Sequence, residues 1–184
     1  MKKVERSEIL DFVTYEEQRT EIRANAMRAK DLRRIHVGEN LTFLFENRLT
    51  VRYQILEMVR AEKMVKEADI QHEIKTYNEL IGENGELGCT LLVEIADASE
   101  RAEKLVKWVR LPEKLYLKFA DGTRSFAQVD ERQNEDEKIS SVQFLKFDCQ
   151  GKTPVAIGSE HEALQIETNL SELQMKALGE DLSI

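Results

Sequence analysis

Cysteine, proline, glycine and histidine are all scarce in this 184-residue chain: two Cys, two Pro, eight Gly and three His. Two cysteines in a chain of this length exclude a disulfide scaffold. Cys89 and Cys149 both fall in strand-like runs, where each reads as a small buried hydrophobe and not as half of a redox pair. No apolar run approaches the roughly 20 residues a bilayer requires, so no membrane span is expected. The opening Met1-Lys2-Lys3-Val4-Glu5-Arg6 has no apolar h-region behind it and is not a secretory signal, which predicts a cytoplasmic protein. Basic charge is in deficit: 27 Lys plus Arg against 35 Asp plus Glu leaves a formal charge of −8. That balance repels phosphate and excludes a free-standing nucleic-acid binder.

Catalytic motifs are missing as well. There is no Gly-x-Ser-x-Gly elbow, no Gly-x-Gly-x-x-Gly or Walker loop, and no cysteine with an evident His partner. His36, His72 and His161 lie far apart. Asp69 and His72 share a helix face, but the paired Glu-x-x-His motifs of a di-iron bundle do not occur. The pair reads as exposed helix surface, and neither a metal nor a cofactor is expected. The acidic run Asp130 to Glu137 lacks the spacing and central Gly of a calcium loop and reads as a solvated connection. Arg28, Lys30, Arg33 and Arg34 form a basic cluster without interleaved aromatics, which reads as a solvated helix end.

What is present is a clear alternation of local patterns. Thr14 with Glu17 predicts a capping box opening a helix toward Leu32, with a thin stripe of Tyr15, Ile22, Ala26 and Ala29. Ile35 and Val37, a Gly38-Glu39-Asn40 turn and Leu41 to Phe45 predict a hairpin whose second strand is buried on both faces. Asn47 caps a predicted helix to Lys66, with Val51, Ile55, Met58, Val65 and, unexpectedly, Glu62 on its stripe. A shorter helix spans Ala68 to Leu80. Gly82, Gly85 and Gly88 mark a break at 82–88, either between domains or between layers of one domain, and the strand signals on both sides favour one. Cys89, Leu91, Val93 and Ile95 alternate as a half-buried strand. Asp97 caps a helix that Pro112 should end. Leu115, Leu117 and Phe119 lead through Asp121-Gly122, a type I′ turn pair, to Phe126 and Val129 on the return strand. A long strand from Ile139 to Cys149, two short ones at 155–157 and 164–166, and a last helix follow. That helix carries a Ser171/Gln174 capping box, a Leu170/Met175 staple and Gly179 as its C′ residue. The sum is one α+β domain over 1–184, with a largely antiparallel sheet and helices packed on it.

The charge in the second helix stands out. Glu46, Arg48, Arg52, Gln54, Glu57, Arg60 and Glu62 crowd a segment that runs straight out of a buried strand. A Glu on an apolar stripe needs a partner, because an unpaired buried carboxylate is costly. Two roles fit: a charge network that locks the helix to the sheet, with Glu57 pairing Arg60, or a polar cleft or partner face whose arginines hold an anionic group.

The run Leu44-Phe45-Glu46-Asn47-Arg48, continued through Gln54, Glu57-Met58, Arg60 and Glu62, resembles the signature of a bacterial family, the domain of unknown function 3501. Tyr77 to Ile81, Asp130 to Gln133 and Lys138 to Phe144 carry the resemblance further, so that it spans about Ser7 to His161. The family pattern has His where this chain has Gln143, and a Pro and Tyr follow its later His where Glu162-Ala163 follow His161. The resemblance therefore carries over no catalytic residue. It implies a cytoplasmic protein associated with a redox or oxidative-stress system, beside rubrerythrin-like and iron–sulfur oxidoreductase proteins. Any iron chemistry would then belong to the partner. Two functions remain open. One is a non-enzymatic binding or accessory protein that assembles with itself or with such a partner. The other is a small enzyme acting on an anionic metabolite, with Arg48, Arg52 or Arg60 as anchor and Glu57 or Glu62 as acid or base.

Overall fold

A computed structural model of the chain describes residues 1–129 and 137–183. Among them are five helices: α1 (Phe12–Asp31), α2 (Arg48–Ala61), α3 (Glu67–Asn78), α4 (Ala98–Lys107) and α5 (Glu172–Leu182). The strands are β1 (Arg34–Val37), β2 (Leu41–Glu46), β3 (Glu86–Val93), β4 (Leu115–Phe119), β5 (Arg124–Phe126), β6 (Gln128–Val129), β7 (Val142–Asp148), β8 (Pro154–His161) and β9 (Leu164–Asn169). They form two antiparallel sheets, ordered β1-β2-β3-β7-β6 and β5-β4-β8-β9. The fold is α+β, as the alternation of patterns predicts, with two sheets where one was expected. The return strand of the β4 hairpin is what divides them: β5 pairs with β4, and β6 crosses to pair with β7.

Two cores result. Phe43, Phe45, Leu91, Phe147, Leu117 and Ile157, from both sheets, share the larger one with Leu178 of α5. Tyr15, Val51, Ile55, Val59, Ile70 and Ile74 build the smaller one among α1, α2 and α3. Residues 82–88 carry the chain from the helical core into β3. They make a tight reversal and not a linker: a Cβ on Gly88 would sit 1.8 Å from the Leu80 carbonyl oxygen, and one on Gly82 2.4 Å from that of Glu86. β2 is buried along its whole length, as its apolar run predicts.

Several ends differ from expectation. Asp11, not Thr14, caps α1, since its carboxylate accepts from the Val13 and Thr14 amides at 3.0 Å. α2 stops at Ala61, so Val65 is exposed and Glu62 is an exposed C-cap and not a stripe residue. α4 ends at Lys107, where Trp108 turns into the core; Pro112 lies beyond, in a 3₁₀ turn over Leu111–Lys114. Of Asp121 and Gly122 only the glycine has positive φ (+81°), so the turn is not type I′. Its amide donates to the Phe119 carbonyl, closing the turn one residue earlier. Gly179 is not a C′ residue but lies inside α5, where a Cβ would meet the Thr153 hydroxyl at 2.8 Å. Close packing, not helix termination, is why the residue there is glycine. Arg33 leaves the basic cluster altogether: it is 7% exposed and ion-paired. The acidic run at 130–136 lies outside the described residues. No described helix is long and apolar enough to cross a membrane.

Gly88→Ala should therefore lower unfolding free energy in urea by about 3 kcal/mol or more, because backbone must move. Gly122→Ala, with open space around it but positive φ, should lose only about 1–2 kcal/mol. Equal losses in the two variants would refute the packing account of Gly88.

Candidate functional site

The charged segment begins where β2 hands the chain to α2 through a single residue. Asn47 is extended (φ −135°, ψ 178°), and its side-chain oxygen accepts from the Leu49 and Thr50 amides at 3.0 Å. The Thr50 hydroxyl accepts from the Asn47 amide, which completes a reciprocal cap. The other end of the Asn47 amide group donates to Asp181 Oδ1 at 3.3 Å. Asp181 in turn holds Arg33 through two bonds, Nε to Oδ2 at 2.6 Å and Nη2 to Oδ1 at 2.9 Å, with both side chains under a tenth exposed. The start of α2 is thus oriented by α5, 134 residues away in sequence.

Arg48 and Arg52, one helical turn apart, both reach the N-terminal segment. Arg48 Nη2 pairs with Glu8 Oε2 at 2.7 Å, and Arg52 Nε donates to the Glu8 carbonyl at 3.0 Å. They line a cleft of about 630 Å³, together with Lys2, Glu8, Asn47, Leu49 and Asp181. Arg33 neutralises Asp181, so among the described residues the cleft presents Lys2, Arg48 and Arg52 against Glu8. Among the described residues, Arg48 Nε is a buried polar atom without a hydrogen-bond partner. Such an arrangement can hold an anionic group.

The other expected site residues lie elsewhere. Glu46, 5% exposed, accepts from the hydroxyls of Thr50 at 2.6 Å and Thr90 at 3.2 Å and does not line the cleft. Gln54 accepts from Lys30 at 3.5 Å. Glu57 does not pair with Arg60. It takes the Tyr15 hydroxyl at 2.5 Å and Arg19 at 2.8 and 3.1 Å, while Arg60 pairs with Glu16. Later residues of α1 meet earlier ones of α2, so the helices run antiparallel and their charges interlock. The contacts of Glu57 and Arg60 therefore join α2 to α1, while Glu46 ties the first turn of α2 to the sheet through Thr50. Burial pushes the Glu57 carboxyl up, but the hydrogen bonds from Arg19 and Tyr15 outweigh it and hold the group below its ordinary value. Burial first, and Glu57 second, push the Tyr15 hydroxyl well up. Lys2, Glu8 and Asp181 are the cleft residues that sequence patterns missed. They come from the two ends of the chain, and no local spacing ties them to Arg48.

The two thiols, His161 and Gln143 are buried or engaged with neighbouring groups. Burial pushes the Cys149 thiol up to about 12, and raises Cys89 strongly, with Glu46 adding to the effect. His161 has both ring nitrogens engaged, Nε2 on the Val109 carbonyl and Nδ1 on the Ala163 amide, each at 3.1 Å. Gln143 is buried and donates to the Ser140 carbonyl at 3.2 Å. Among the described residues no group of three or more His, Cys, Asp or Glu side chains is placed to hold a metal ion.

Comparison with known proteins agrees over nearly the whole chain. The profile of a family described as "Protein of unknown function (DUF3501)" matches residues 3–182. A crystal structure of a novel protein of unknown function from Burkholderia pseudomallei K96243 is 28% identical, with a TM-score of 0.89. The match covers 98% of this chain and 100% of that one. No curated protein gives a significant match.

Because the folded Glu57 carboxyl lies below its ordinary value of 4.5, its contribution is present above that pH and is lost as pH falls through the folded pKa. Glu57→Gln should thus destabilise by about 1 kcal/mol at pH 7, and the gap should close on acidification; a gap unchanged at pH 3 refutes it. Asp181→Ala leaves Arg33 buried without a partner and should lose about 3 kcal/mol or more. Arg33→Met combined with Asp181→Leu should recover much of that loss in urea unfolding. A double variant as unstable as the single one would show that the pair matters for more than charge compensation.

Proposed function

This chain belongs to the DUF3501 family of proteins of unknown function, and we propose that it is a non-enzymatic binding protein. Its cleft at the start of α2 holds the carboxylate or phosphate of a small ligand or of a partner. The observation that carries this reading is the pair Arg48 and Arg52, with Lys2 beside them and, among the described residues that line the cleft, Glu8 as the one acidic group not neutralised by Arg33. Neither carboxylate expected of an acid–base version, Glu57 or Glu62, lines the cleft. Glu57 is held ionised against α1, and Glu62 stands exposed beyond the helix end. We further propose that such a binder works in the cytoplasm beside a redox system, assembling with itself or with a rubrerythrin-like or iron–sulfur partner, a setting that the family resemblance suggests. Both thiols of this chain are buried and disfavour the thiolate, so the redox centre in that setting is the partner's.

Titration calorimetry at low ionic strength with sodium succinate and with sodium phosphate tests the cleft. Saturable binding of at least one is expected, weakening as salt is added. The Arg48→Gln/Arg52→Gln variant should bind at least about tenfold more weakly, since each charged hydrogen bond contributes roughly 1.5–3 kcal/mol. Equal binding by the variant would rule the cleft out. For the redox setting, native co-purification should recover an iron protein in stoichiometric amount; a chain recovered alone, without such a protein, argues against it.

A further inference from the structure

The cleft already contains an anionic group. Glu8 Oε2 receives Arg48 Nη2 at 2.7 Å and the Glu5 amide at 2.8 Å. Resting on the anion-binding reading above, we infer that Glu8 is a built-in occupant of the site and that the external ligand is a carboxylate which displaces it from Arg48.

Three observations support this. First, the contact is exchangeable. The Arg48 and Glu8 side chains are 41% and 23% exposed, and pairs so open to water are weak. Second, the backbone that carries Glu8 has anchors besides the cap that its carboxylate gives the Glu5 amide. Val4 exchanges two hydrogen bonds with the buried Asn78 side chain, at 2.8 and 2.9 Å, and Arg6 binds both oxygens of Glu67 at 2.9 Å. The Glu8 carbonyl also stays on Arg52 Nε. The carboxylate can therefore swing away by side-chain rotation while the cleft wall stays in place. Third, the position vacated is shaped by a carboxylate. Its donors converge on one carboxylate oxygen, and Arg48 and Arg52 stand one turn apart to receive the second oxygen or a second acid group. Glu8 thereby sets a threshold: a ligand must compete with a carboxylate tethered beside the site, whose effective concentration is high.

The test uses the full chain and sodium succinate as probe. Glu8→Gln keeps the size of the side chain and removes its charge. It should bind succinate about two- to fivefold more tightly than the wild type, the range set by an exposed ion pair. In the wild type the Glu8 carboxyl ¹³C resonance should move in step with succinate occupancy. Wild-type binding with no tightening in Glu8→Gln, or with an unmoved Glu8 resonance at saturation, overturns the displacement while leaving the cleft as a site. Phosphate bound more tightly than succinate by both proteins overturns the carboxylate assignment. Absence of saturable binding by both proteins, for either probe, overturns the cleft itself and this inference with it.

Discussion

A guanidinium and a carboxylate buried together are the constraint on which the helical half of this protein depends. Arg33 and Asp181 are each too buried to be left alone, so the end of α1 and the end of α5 must meet. Asn47 joins them through Asp181, and Asn47 is the residue that starts α2. One ion pair thus ties the segment after α1 and the end of α5 to the start of α2. It also determines the direction in which the first turn of α2 presents Arg48 and Arg52. Because Arg33 cancels the charge of Asp181, a carboxylate can line the cleft without spoiling its positive character.

Along α2 the charges divide by neighbour. The first turn faces the N-terminal segment, where Glu8 is a single, water-accessible partner. The later turns face α1, where Glu57 and Arg60 find Tyr15, Arg19 and Glu16. The α1–α2 seam therefore uses its charges in fixed, mutually satisfied contacts. The cleft leaves donors over, including the buried Arg48 Nε. That difference separates holding the fold together from holding a ligand, within a single helix.

Much of this was legible from local pattern. The Asn47 and Ser171 caps, the nearly all-apolar, fully buried β2 and the alternation from Cys89 to Ile95 depend on neighbours within a few residues, and each formed as expected. The misreadings share one cause. Gly179 looked like a helix end and proved to be a close contact with Thr153. Glu62 looked like a buried charge because α2 was carried past Ala61. Arg33 looked solvated because Asp181 is remote in sequence. The candidate site was half legible in the same sense: Arg48 and Arg52 belong to a local charge pattern, whereas Lys2, Glu8 and Asp181 do not, and Glu46, Gln54, Glu57, Arg60 and Glu62 do not line the cleft.

By itself the sequence determined the α+β character, the family and the segment where unusual charge collects. Periodicity, caps and motif order act over short stretches and need no knowledge of the fold. Only the tertiary structure decided how that charge is shared. Whether a guanidinium is a lock or an open donor depends on which carboxylate the fold brings within about 3 Å. For Arg48 that carboxylate comes from Glu8, in a segment that chain topology alone places beside α2.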